Sequence, residues 1–127
     1  MLTPDVAQAI DEVRAAFPGR AIQVEEDGQG GVYVTVPDLE LGQQYAPACS
    51  WIGFQISFQY PLAQVYPHYT DAALARADGQ GHGQGFATTS WRDRQVLQLS
   101  RTSREWDPAL DTAATKLAQV LRWLRQQ

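Results

Sequence analysis

Hydrophobic residues recur along this chain in two rhythms. Near the N-terminus Val6, Ile10, Val13 and Phe17 are spaced by four, three and four residues, which puts them on one helical stripe. Thr3 before Pro4 supplies an N-cap hydroxyl and a first helical residue whose φ is already set. Pro18-Gly19 stops that helix. The period then falls to two. Ala21–Glu26 alternates as a strand, and Asp27–Gly31 is a turn of residues that tolerate positive φ. Val32, Val34 and Val36 line one face of a second strand, whose clean ladder Pro37 ends. Residues 51–60 alternate most clearly. Ile52, Phe54, Ile56, Phe58 and Tyr60 point one way, and Trp51, Gly53, Gln55, Ser57 and Gln59 the other. Such a strand belongs to a sheet with one buried face and one wet face.

The pattern is then lost. Tyr60-Pro61 and Tyr66-Pro67-His68-Tyr69 are extended, aromatic and punctuated by proline. Thr70 is placed to cap a short helix through Ala72–Ala75, and residues 79–85 form a Gly/Gln loop around His82. A short segment, Phe86–Trp91, and a strand around Val96–Leu99 follow. Asp107-Pro108 starts the last helix, with an apolar stripe of Leu110, Ala114, Leu117, Leu121 and Leu124. The expected fold is α+β in one domain, residues 1–127. It has an N-terminal helix, an antiparallel strand meander, an irregular Pro/Gly-rich segment and a long C-terminal helix.

Composition narrows the function classes. A chain of 127 residues, 44% hydrophobic and 19% charged, buries a real core. Its net charge of -4 speaks against nucleic-acid binding, which needs a basic surface. The charge is uneven, with two basic residues against eight acids in residues 1–63 and eight against six thereafter. Arg92, Arg94, Arg101 and Arg104 lie close in the second half, as a solvated face or as a site for a carboxylate or an acidic protein. Lys116 is the one lysine beside nine arginines. The single cysteine, Cys49, excludes an internal disulfide and a multi-cysteine zinc site. The two histidines and scattered acids lack metal-ligand spacing, so no metal is expected. Gly79–Gly85 lacks the Lys-Ser/Thr of a phosphate loop, and no cofactor is expected. No apolar run approaches the roughly 20 residues of a membrane span. The N-terminus has no basic stretch followed by an apolar run, so a cytoplasmic location without membrane contact is expected.

Two stretches carry a resemblance. Gly53–Pro61 followed by Val65-Tyr66-Pro67 resembles the third strand and Pro-rich turn of the ubiquitin-conjugating superfamily. Trp106-Asp107-Pro108-Ala109-Leu110 before an apolar helix resembles that family's Trp-x-Pro segment after the active site. The family places a His-Pro-Asn triplet ahead of its nucleophilic cysteine. Here no such triplet occurs, and the segment before Trp106 reads Arg94–Arg101 with Gln98 near the cysteine's place. Thioester transfer needs a thiolate or a comparable nucleophile, which Gln98 does not provide.

The resemblance therefore implies a non-catalytic, ubiquitin-conjugating-like module. Its partner would be a ubiquitin-like protein or an activating enzyme in a bacterial conjugation system. Two alternatives stay open. One is an active conjugating enzyme with Cys49 as its nucleophile, against the reading of Cys49 as a small inert side chain. The other is a small cytoplasmic chaperone that binds an extended client on its sheet and dimerises. Candidate binding residues are the four arginines, His82, and an aromatic group of Tyr66, His68 and Tyr69, which is either an exposed patch or packing under the Pro-rich turn. His82 serves either as part of a mobile glycine loop or in binding and acid–base work.

Overall fold

The Thr3 hydroxyl accepts a hydrogen bond from the Val6 amide at 3.1 Å and caps helix α1 (Pro4–Ala16). This is seen in a computed structural model that describes residues 1–127. Val6, Ala9, Ile10 and Val13 form the buried stripe of α1. Eight strands follow: β1 (Gln23–Glu26), β2 (Val32–Glu40), β3 (Tyr45–Ala46), β4 (Cys49–Ile56), β5 (His68–Asp71), β6 (Ala75–Arg76), β7 (Phe86–Trp91) and β8 (Arg94–Leu99). Helix α2 (Ala113–Arg125) ends the fold.

Six strands make one antiparallel sheet in the order β1-β2-β4-β5-β8-β7, and β3 pairs with β6 in a small separate ribbon. The turn between β1 and β2 is held by Asp27, whose carboxylate accepts from the Gln29 amide at 2.7 Å and the Gly31 amide at 3.0 Å. The register sets the two faces. Val32, Val34 and Val36 on β2 lie beside Ile56, Phe54 and Ile52 on β4, all buried. These side chains join Leu97 and Leu99 of β8 and the stripes of both helices in one apolar core. α1 and α2 pack against each other on that side of the sheet. The opposite face carries no helix.

Three features between β2 and β6 differ from the sequence expectation. β4 ends at Ile56, and the chain turns through residues 57–63. Phe58 is consequently 53% exposed, although Tyr60 re-enters the core. β2 continues past Pro37 to Glu40 through a bulge between Val36 and Leu39, with Asp38 at φ 58°. Thr70 lies inside β5, its hydroxyl donating to the Trp51 carbonyl at 2.5 Å, so it caps no helix and Ala72–Ala73 is a turn.

The C-terminal helix is short, 13 residues like α1. Asp107-Pro108 makes only one turn, in which the Asp107 carbonyl accepts from the Leu110 and Asp111 amides. The helix begins afterwards, at a reciprocal cap between Thr112 and Thr115. Leu110 falls outside the stripe and is 75% exposed. Trp106, just before this turn, donates its indole N–H to the Pro61 carbonyl at 2.7 Å and sets its ring at an angle to Tyr60. Tyr60 in turn accepts from the Ala113 amide at 3.1 Å. The Tyr-Pro turn and the Trp-x-Pro segment are thus one packed unit at the start of α2. No helix is long and apolar enough to cross a membrane.

Candidate functional site

Alternation along β2, β4 and β5 points Tyr33, Trp51, Gly53 and Tyr69 away from the core, and the pairing aligns Thr35, Gly53 and Tyr69 across the sheet. Onto this outer face leans the tip of the β7–β8 hairpin. Its two turn residues, Arg92 and Asp93, have φ of 54° and 65° between the paired Trp91 and Arg94. Two successive left-handed residues match the right-handed twist of a two-residue hairpin. Arg in that conformation costs on the order of 1 kcal/mol relative to glycine, and strain of this kind collects at functional surfaces.

The contacts of the tip offset that cost. Trp91 stacks on Tyr69 with ring centroids 4.4 Å apart and planes 16° apart, and meets the edge of Tyr33 at 6.1 Å. Glycine at 53 makes this possible, since a Cβ there would stand 2.7 Å from the Trp91 ring and 3.2 Å from Trp51. The Arg92 guanidinium lies 4.4 Å from the Tyr33 ring centre and forms an ion pair with Glu25 on β1. Arg94 lies 4.3 Å from the Trp51 ring centre. β7 and β1 are opposite edges of the sheet. Five gaps of about 4.8 Å would separate them by about 24 Å in a flat sheet, so strand twist and the lean of the hairpin close that distance.

The result is a surface of four half-buried aromatic rings carrying two guanidinium groups, with a shallow cleft on either side of Arg92. One cleft, about 340 Å³, is lined by Glu25, Tyr33 and Arg92, and the other, about 290 Å³, by Trp51, Arg92 and Arg94. Burial, and then the neighbouring Tyr66, push the Tyr69 phenol above its usual range, so it stays protonated and able to donate. The chemistry on offer is recognition. Planar guanidiniums fixed on rings present several N–H groups to a carboxylate without first having to be ordered.

The expected site residues separate. Arg92 and Arg94 belong to this surface. Arg101 lies elsewhere, 5.3 Å from the ring centre of Trp123 on α2, and Arg104 is exposed in the following loop. The four arginines therefore do not form one cluster. Tyr66, His68 and Tyr69 do not form one exposed patch. Tyr69 faces outward and Tyr66 is 41% exposed, but His68 is fully buried in the core against Phe54. Neighbours on a strand face opposite ways, which is why His68 and Tyr69 part. Burial first, and Lys116 second, lower the His68 pKa to about 3. His82 is not part of a free loop. It accepts from no side chain, stacks on Phe86 at 4.6 Å and lies 2.8 Å through Nε2 from the Leu74 carbonyl, and Phe86 stacks on Trp123. Cys49 is exposed at the start of β4, opposite Glu40, without a side-chain hydrogen bond. Gln98, near the place of the family's thiol, pairs with Tyr69 within the sheet and donates to the Ser100 hydroxyl at 3.0 Å. No three His, Cys, Asp or Glu side chains gather as a metal site.

Tyr33, Trp51, Trp91 and Gly53 were not singled out from the sequence as site residues. The available signal was an aromatic residue at an outward position of a strand, at Tyr33 and at Trp51, where a wet face normally carries polar side chains. No family model, curated protein or solved structure matches this chain.

Proposed function

We propose that this chain is a binding module of the ubiquitin-conjugating-like kind that holds a partner protein and performs no thioester transfer. The partner class is an acidic ubiquitin-like protein, or an activating enzyme that presents an acidic patch. The observation that carries this reading is the outer face of the sheet, where Trp51, Trp91, Tyr33 and Tyr69 stand with Arg92 and Arg94. Trp, Tyr and Arg are the side chains most enriched where protein partners bind tightly, because they combine large contact area with polar groups. The resemblance at Gly53–Pro61 and Trp106–Leu110 supplies the kind of partner, and the position of Gln98 argues for binding over transfer.

The test is titration of ubiquitin-like proteins and activating enzymes into the chain and into Arg94→Glu. Binding weakened at least about tenfold by Arg94→Glu, and unchanged by Arg104→Glu, supports the reading. A reductant-sensitive adduct that disappears in Cys49→Ala would replace it with an active enzyme. The same aromatic face favours a second reading, a small chaperone for an extended client. That reading requires a stable homodimer and client binding that is insensitive to Arg94→Glu.

A further inference from the structure

A second site lies on another part of the molecule and owes nothing to the outer face. Lys116, the one lysine of the chain, sits on the buried stripe of α2 and is only 2% exposed. Its ammonium donates to the Arg101 carbonyl at 2.6 Å, to the Ser103 hydroxyl, and to Gln64 Oε1 at 3.3 Å. All three acceptors are neutral. No carboxylate pairs with this amine, although a buried charge is costly until an opposite charge meets it. Lys116 is among the residues that line a cleft of about 270 Å³ between α2 and the loop that follows β8. Arg101 stands at the rim of the cleft beside the Trp123 ring, and Glu105 and Asp111 also line it.

We propose that this cleft binds a carboxylate, with Lys116 supplying the buried charge and Arg101 and Ser103 the direct contacts. The balance of charges selects a monoanion. Lys116 and Arg101 are offset by Glu105 and Asp111, so the cleft is close to neutral and a singly charged carboxylate meets less repulsion there than a phosphate dianion would. The volume suits a small organic acid or the last residues of a peptide ending in a free carboxylate.

Burial, and then Arg101, lower the Lys116 pKa from the ordinary lysine value, and Asp111 opposes them. A bound carboxylate favours the charged amine, so binding draws the pKa back up and loses strength at alkaline pH sooner than a surface lysine would dictate.

The experiment follows amide and indole resonances while acetate, N-acetyl-alanyl-alanine and its C-terminal amide are titrated into the intact chain. The expected result is saturable shifts at Ser103 and the Trp123 indole for the acids, with the peptide amide at least about tenfold weaker than the peptide acid. Arg101→Gln, at an exposed position that leaves the core alone, weakens the acid at least about tenfold, and so does Lys116→Met. Should Lys116→Met fail to fold, Arg101→Gln and the acid–amide pair carry the decision. Acetate binding as tightly as the peptide acid assigns the site to small acids, and a tighter peptide assigns it to chain termini. Equal shifts from acid and amide, shifts unaffected by Arg101→Gln, or none at Ser103 and Trp123 up to about 10 mM overturn the proposal.

Discussion

The two faces of the sheet are built on opposite principles. The inner face is mostly aliphatic, with Phe54 and His68 among the aliphatic side chains, covered by α1 and α2, and continuous with the core. The outer face has no covering element and uses four aromatic rings instead, capped by the tip of its own β7–β8 hairpin. An aliphatic face gains stability from the water it excludes, in proportion to area. An aromatic face with guanidinium groups keeps a polar edge available and is left half-open. The contrast separates a surface that holds the fold together from one that is free to hold something else.

The largest effect should come from the inner face. Phe54→Ala removes a fully buried ring between β2 and β5 and should destabilise the fold by about 3–5 kcal/mol in chemical denaturation. A loss below about 1 kcal/mol would mean that the core does not lie where the two helices meet the sheet.

The buried histidine sharpens the comparison through pH. His68 is neutral in the folded chain, with a pKa of about 3 and both ring nitrogens unpartnered, whereas in the unfolded chain it takes up a proton below its ordinary value of 6.5. The folded pKa is the lower one. The unfolded state therefore binds more protons between those values, and stability falls as pH drops through that window, by up to about 1.4 kcal/mol per pH unit. Above pH 6.5 this group contributes no slope. His68→Leu should flatten the acid side of the stability profile, and an unchanged slope would assign it to the carboxylates.

Outer-face changes should cost less stability. Gly53→Ala places a methyl group against Trp91 and should cost about 1–3 kcal/mol while shifting the tryptophan fluorescence, because the stacked ring has to move. Glu25→Ala should be the mildest. It removes an exposed partner of Arg92 and is worth no more than about 0.5 kcal/mol. A large loss there would mean that the hairpin tip is a structural clamp and its openness to a partner is secondary.

Much of the inner face was legible in the sequence, because periodicity records burial. The stripe of α1, the turn at Asp27–Gly31, and the alternation through Val32–Val36 and Ile52–Ile56 all appear in the structure. The failures came where a local signal competed with a tertiary one. Asp107-Pro108 reads as a helix start and does nucleate a turn, yet the cap that starts the helix belongs to Thr112. Thr70 is a good capping residue, but its hydroxyl is taken by Trp51 of a neighbouring strand. His68 reads as one more polar aromatic beside Tyr69 until β-strand alternation divides them. The outer-face cluster depends on a hairpin leaning across the sheet, and contacts so distant in sequence leave no periodic trace. Lys116 shares the helical stripe with Ala113, Leu117 and Val120, which was the one hint of its burial.

The proposal that the outer face is a partner surface is open to a direct test. The most direct measurement is a chemical-shift map of the intact chain with an acidic ubiquitin-like protein, repeated with Arg94→Glu. Perturbations should converge on Tyr33, Trp51, Trp91 and Arg92 and vanish in the variant while its melting temperature holds. Perturbations centred on Cys49, or binding that survives Arg94→Glu, would contradict it.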